Sequence, residues 1–199
     1  MITRKEMTRM LLKEGFLSCL ANNSYESVTV TSLCKASGIT RSTFYLHYSN
    51  IMEIVDDLVD DAIAYSKPGM VDNNNLQTIA NTLSAASNSV SLREAYDSIF
   101  DRLPLCQRII RHKKYLPLFL DEQISEYVLQ RIIGSEKDRQ GLVMAEALGI
   151  SFDVGVSVFV FLVHGLYAIN KEYKWTQSDE WLEAQKVIFE LVYRGLQSK

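Results

Sequence analysis

The sequence predicts an all-α protein, with a three-helix helix-turn-helix head over residues 1–50 and a helical body over residues 51–199. Three observations predict it. Residues 28–49, VTVTSLCKASGITRSTFYLHYS, read as a short amphipathic helix, a tight turn at Ser37-Gly38-Ile39 and a second short helix rich in Arg, Ser, Thr, Tyr and His. Three prolines and nine glycines in 199 residues leave room for long helices. Apolar residues, 47% of the chain, recur at helical spacing through most of the remainder and suffice for a core.

The elements follow in order. Thr3-Arg4-Lys5-Glu6 has the pattern of a capping box. The helix it opens carries Leu12, Gly15, Phe16, Cys19 and Leu20 on one face and ends at Asn22-Asn23-Ser24. Tyr25 and Val28 cover the next junction. Thr29 caps a second helix running to about Ala36. Gly38 sits where the turn needs a positive φ. Thr40 caps a third helix over residues 41–48, and Ser49 or Asn50 caps a fourth, apolar at Ile51, Ile54, Val55, Leu58, Val59 and Ala62. Lys67-Pro68-Gly69 breaks the chain.

The body continues with helices over 76–89, over 91–111 with a kink or split at Pro104, over 116–133 ended by Gly134, and over 138–148 ended by Gly149. A helix over residues 152–173 and a last one capped by Ser178, running to 196, complete it. In the last, Trp181, Ile188, Leu191, Val192 and Gly195 are read as one stripe.

Residues 154–169 are the most apolar run. Bounded by Asp153 and Asn170, with His164 inside, the run falls short of the ~20 residues a membrane span needs. Val154, Val156, Val158 and Val160 alternate as in a strand, but no partner strands stand elsewhere and a lone strand cannot satisfy its backbone. A fully buried helix with no membrane contact is the expectation.

The net charge of −3 is unevenly spread. Residues 1–50 hold six Lys/Arg (Arg4, Lys5, Arg9, Lys13, Lys35, Arg41) against three Glu (Glu6, Glu14, Glu26), so the head is at +3 and the rest at −6. A basic head on an acidic body fits local contact with nucleic acid. Cys19, Cys34 and Cys106 form no CxxC, zinc pattern or disulfide framework, and read as reduced thiols in a cytoplasmic protein. Arg4 and Lys5 are followed by Glu6, Arg9 and Lys13, so no signal peptide is expected. No HExxH, glycine-rich phosphate loop, serine elbow or paired carboxylates with a histidine point to an enzyme, and no metal or cofactor is expected.

A helix-turn-helix lays its second helix in the DNA major groove. Leu33, Ile39 and Phe44 pin the two helices together, with Cys34 small enough for close approach. The exposed face is then Arg41, Ser42, Tyr45 and Leu46, edged by Thr43 and His47. Arg41 is the candidate for a bidentate pair with guanine, and Leu46 for a thymine methyl. Ser42 suits either a base or a phosphate. Thr40, Thr43 and Tyr45, with Thr29 and Thr31 at the start of the second helix, have hydroxyls suited to phosphate beside free helix N–H groups.

Thr29-Val30, Leu33, Ala36, Gly38-Ile39, Thr43-Phe44-Tyr45 and His47-Tyr48 stand at the spacings of the TetR family of bacterial regulators, as do Leu12, Leu20, Tyr25 and Ile54. The chain resembles that family over its first 58 residues; the body resembles it only in helical order. The resemblance implies an all-α homodimer whose paired heads bind a palindromic double-stranded operator, usually to block transcription, and are released by a small-molecule effector. It also implies that His47 contacts or supports a phosphate. Where the family carries a phosphate-gripping lysine at the start of the fourth helix, this chain has Ile51, followed by Met52. A shallow salt dependence follows unless Arg4, Lys5 or Arg9 compensates.

For the body, Phe100, Phe119, Tyr127, His164 and Tyr167 are candidates for an effector pocket, and Gly155, Phe159, Gly165, Trp181, Ile188 and Val192 for a two-fold interface of four helices. His164 is either a pocket residue or a satisfied core histidine. The run Arg108, Arg111, His112, Lys113, Lys114 reads as a solvated basic face. An alternative function is a DNA-binding protein controlled by a protein partner, as a co-activator or in chromosome organisation.

Overall fold

The structure, a computed structural model, describes residues 2–66, 75–86, 91–103, 107–108 and 112–197. Among them are ten α-helices, two 3-10 turns and no strand, the all-α class expected. The helices are α1 Arg4–Asn22, α2 Val30–Ser37, α3 Arg41–Tyr45, α4 Met52–Ser66, α5 Asn75–Ser84, α6 Leu92–Ser98, α7 Leu116–Leu120, α8 Ser125–Leu148, α9 Phe152–Glu172 and α10 Asp179–Gln197. The expected break at Lys67-Pro68-Gly69, the kink at Pro104, Cys106 and Arg111 lie outside the described residues.

The chain divides into two compact units, Met1–Tyr65 with Ile109–Ile132, and Ser66–Arg108 with Ile133–Lys199. This division differs from the expected boundary at residue 50, because α4 is bonded to α1. Arg9 pairs with Asp57, and Lys13 with Asp61. Partners four residues apart on one helix meet partners four apart on the other, as helical geometry allows. A second row on α4, about 100° round the helix, repeats the device. Tyr127 donates to Asp56, and Arg131 pairs with Asp56 at 3.5 Å and Asp60 at 2.8 Å. The apolar side of α4, with Ile54, Val55, Leu58 and Val59, joins Leu12, Phe16, Leu118, Phe119 and Leu129 in the core of this unit.

Several boundaries depart from the sequence reading. Capping boxes open α1 at Thr3 and α6 at Ser91, and Asn50, not Ser49, caps α4. The segment expected as one helix over 91–111, kinked or split at Pro104, is helical from Leu92 to Ser98, passes through a 3-10 turn, Phe100–Arg102, and is helical again at Gln107 and Arg108. Leu103 is extended at φ −63°, ψ 151°, as the residue before a proline prefers. The helix expected over 116–133 breaks at Asp121. Its carboxylate accepts from the N–H groups of Gln123 and Ile124 and its carbonyl from Ser125, which starts α8. Gly134 does not end α8. A glycine in a helix interior costs only ~1 kcal/mol, and the helix runs on to Gly149, whose φ of +62° stops it.

The second unit has its core in Ile79, Leu83, Tyr96, Ile99, Leu166, Trp181, Leu182 and Phe189, drawn from α5, α6, α9 and α10. The expectation for α9 is half right. It is a helix of 21 residues with mean hydropathy 1.9 over its most apolar window, long and apolar enough to cross a membrane by length and composition. It is not fully buried, since only 28% of that window is buried and Phe161 is 71% exposed. In α10 the expected stripe divides. Trp181 faces the core while Leu191 is 66% exposed, because ten residues at 100° each leave Leu191 about 80° round the helix from Trp181, past the edge of the buried face.

Candidate nucleic-acid interface

Two capped helices frame the helix-turn-helix. The Thr29 hydroxyl accepts from the Ser32 N–H at 3.1 Å and the Ser32 side chain accepts from the Thr29 N–H at 2.9 Å, closing a box on α2. α2 ends at Gly38, φ +69°, ψ 21°, a left-handed conformation that glycine adopts without a side-chain clash. The Thr40 hydroxyl accepts from the Thr43 N–H at 3.2 Å and opens α3. That helix is shorter than expected, ending at Tyr45, with a turn through Leu46 and His47 bonded back to Thr43 and Phe44. Leu33 and Phe44 are fully buried, Cys34 and Tyr48 nearly so, and Ile39 is half-buried, so the expected pins hold the two helices.

This leaves Thr29, Thr31, Thr40, Arg41, Ser42, Tyr45 and Leu46 exposed, Leu46 at 81%. Thr43 and His47 are half-buried at the edges. The Thr40, Ser42 and Thr43 hydroxyls lie within 3.0 Å of one another through Thr40. Tyr45 stands edge-on to Phe44 at 5.1 Å, so its ring is braced although the residue is exposed. His47 turns Nδ1 inward without a hydrogen-bond partner.

Of the basic residues in the head, Arg4, Lys5, Lys35 and Arg41 are exposed. Arg9 cannot serve as the freely available compensating cation. Its Nε donates to Asp57 at 3.0 Å and its guanidinium lies 5.0 Å from the Tyr48 ring centre. The Tyr48 hydroxyl donates to the same carboxylate at 2.7 Å. Burial raises the Asp57 pKa, but hydrogen bonds from Arg9 and Tyr48 outweigh it and hold the carboxyl below its usual range. Burial, then the bond to Asp57, pushes the Tyr48 phenol up.

Asp121 fixes the other end of the head. Its carboxylate accepts from the Tyr25 N–H at 2.7 Å, tying the 3-10 turn before α2 to the start of α8. Neither Asp57 nor Asp121 was singled out from the sequence. The pairs Arg9/Lys13 and Asp57/Asp61, each four apart, carried a signal for the first; the second carried none.

The other expected site residues fall as follows. Phe119 and Tyr127 belong to the first unit, and Phe100, His164 and Tyr167 to the second. Phe119 and Tyr167 are buried, Phe100 packs against the second core, and none of the five lines a described cleft. Gly155 and Trp181 are used within one chain. A Cβ on Gly155 would stand 2.3 Å from the Gly141 carbonyl oxygen, and Trp181 is in the core. Phe159 is also buried, Ile188 and Val192 are half-buried, and Gly165 is exposed with open space around it. The basic run is not a solvated face throughout. Arg108 is buried and His112 is packed between the Tyr65 and Tyr115 rings, while Lys113 and Lys114 are exposed.

No protein-family profile matches the chain. Over 89 residues, 44% of its length, the chain is 30% identical to the uncharacterized HTH-type transcriptional regulator YxbF of Bacillus subtilis (strain 168), of which it spans 20%. The solved structure of Salmonella enterica GusR is similar over 94% of this chain and 96% of that one, with a TM-score of 0.50 and 12% identity, a likeness of fold alone.

Proposed function

We propose that the chain is a DNA-binding transcriptional regulator of the TetR type, a homodimeric cytoplasmic repressor that binds a palindromic operator and is released by a small-molecule effector. The observation that carries this is the capped turn at Gly38, which leaves Arg41, Ser42 and Tyr45 of one short helix, and Leu46 just after it, exposed. The similarity to an HTH-type regulator supports it. The dimer is supported by the apolar face of α9, where Val154, Phe161 and Gly165 are exposed, and by Val187 and Leu191 on α10. Symmetric pairing of such helices suits a protein reading two half-sites.

The test is selection of bound duplexes from a random pool by the purified protein, followed by titration of the winning sequence. A two-fold symmetric site is expected. Arg41→Ala should weaken binding by ~1–3 kcal/mol and relax base preference at one position per half-site. Arg4, Lys5, Lys35 and Arg41 are the exposed cations of each head, so the slope of log affinity against log salt should not exceed about 7 in magnitude for a dimer. Absence of affinity for any duplex at low ionic strength, in folded protein, overturns the proposal.

A further inference from the structure

Polar side chains interrupt the apolar core of the second unit. Asn170, Gln107 and Gln185 are at most 1% exposed. The Asn170 Oδ1 accepts from the Trp181 indole N–H at 2.8 Å, which fixes the amide orientation and points Nδ2 away from the indole. That Nδ2 has no hydrogen-bond partner in the protein. The Tyr96 hydroxyl donates to Gln107 Oε1, and Gln107 Nε2 donates to Gln185 Oε1, both at a slack 3.4 Å. This chain ends on Gln185 Nε2, which again has no partner. Trp181, bonded to Asn170 of α9, and Gln185 are one turn apart on α10, so the indole links the two amides across the α9–α10 pair.

We infer that the buried amides of Asn170 and Gln185 form the recognition site for the effector, a small aromatic molecule carrying a carbonyl or carboxylate oxygen. This rests on the reading of the chain as an effector-controlled regulator. The donors match oxygen acceptors. The Tyr96 and Trp181 rings, edge to face at 5.2 Å, supply an aromatic wall. A core built for stability alone has no use for amides that end in unused N–H groups, since apolar side chains of similar size fill the same space without desolvating a donor. Close by, the turn from α9 to α10 holds Lys174 and Trp175 at φ 49° and 58°. Trp175 donates its backbone N–H to the Asn170 carbonyl at 2.8 Å and sets its ring 5.4 Å from Tyr167. Two consecutive left-handed residues are strained, and such strain concentrates where ligands are held.

Trp175 and Trp181 are the two tryptophans of the chain, so its indole fluorescence reports on this region alone. Purified full-length protein, without DNA, is titrated with benzoate, acetophenone and benzylamine. Benzoate and acetophenone should shift or quench the emission; benzylamine, a donor and a cation, should not. Asn170→Asp keeps the acceptor for Trp181 but replaces the donor with a charge, and should weaken benzoate binding at least about tenfold, the loss of one hydrogen bond to an ion. Gln185→Met is the second variant should the first misfold; it should remain folded and lose the same response. The inference is overturned if no probe acts at millimolar concentration, if benzylamine acts as benzoate does, or if both folded variants respond like the wild type. Intact operator binding with no probe response removes this site alone; a probe response without duplex affinity removes the regulatory reading alone.

Discussion

Asp57 shows how much one side chain can carry. It accepts from Arg9 on α1 and from the hydroxyl of Tyr48, three residues after α3, so one carboxylate ties α1, the end of the helix-turn-helix and α4 together. Hydrogen bonds to a charged group contribute ~1.5–3 kcal/mol, more than the ~0.2–1 kcal/mol of an exposed ion pair. Because the folded-state pKa of Asp57 lies below the usual carboxylate value, its contribution is present above the unfolded pKa of about 3.9 and is lost as pH falls through the folded value. Thermal melts from neutral to acid pH should therefore show a fall in Tm below about pH 4 that Asp57→Asn flattens while lowering Tm at neutral pH. An unchanged acid limb in that variant would remove Asp57 from the account. Residues of this kind were poorly legible in the sequence. Thr29, Thr40 and Gly38 could be read because a cap or a left-handed turn is a local property of the chain. Asp57 and Asp121 could not, because an aspartate on a polar face looks the same whether it meets solvent or an arginine 48 positions away.

Helices are placed by the residues that let them approach. On α1, a Cβ at Gly15 would stand 2.9 Å from the Ser37 Cβ and 3.1 Å from its backbone nitrogen, so α1 meets the end of α2 at a point with no room for a methyl group. On α8 and α9 the contact is tighter. A Cβ at Gly155 would sit 2.3 Å from the Gly141 carbonyl oxygen and 2.9 Å from the Ala145 nitrogen, all backbone or fixed atoms. Replacing a helical glycine by alanine gains ~1 kcal/mol of propensity, and overpacking costs ~1–3 kcal/mol. Gly15→Ala should therefore lower Tm modestly and Gly155→Ala strongly, while Gly134→Ala, with open space around it, should raise Tm. Differential scanning calorimetry of the three variants checks the order; a stabilising Gly155→Ala would mean that α8 and α9 do not cross there. The sequence reading placed most helices but misassigned these contacts. Gly155 marks a close approach in either an intrachain or an interchain pair, and spacing alone cannot tell which. Gly134 and Gly149 look alike as letters, yet only the second adopts a positive φ.

At the scale of the molecule, the surface left apolar has to be explained. Val154 and Phe161 on α9, and Val187 and Leu191 on α10, are between 49% and 71% exposed, although both helices bury their other faces in the core of the second unit. Scattered apolar residues on a surface need no explanation, but residues recurring at 154, 161 and 165 follow one face of a helix and those at 187 and 191 follow another. A helix with two apolar faces suits burial between its own chain and a second copy, and small Gly165 lets a partner approach. The dimer proposed above would also join two heads, so that the second half-site would be bound at a high effective concentration, raising affinity by ~10²–10⁴ over one head. Phe161→Glu places a charge on that face without touching the core. Its mass by sedimentation should halve, its circular dichroism should be unchanged, and its affinity for the two-fold site should fall to that for a half-site. Leu191→Glu should do the same from the neighbouring helix. If both variants keep the mass of the wild type while it is dimeric, the two heads are joined through another surface, and the apolar face of α9 needs a different occupant.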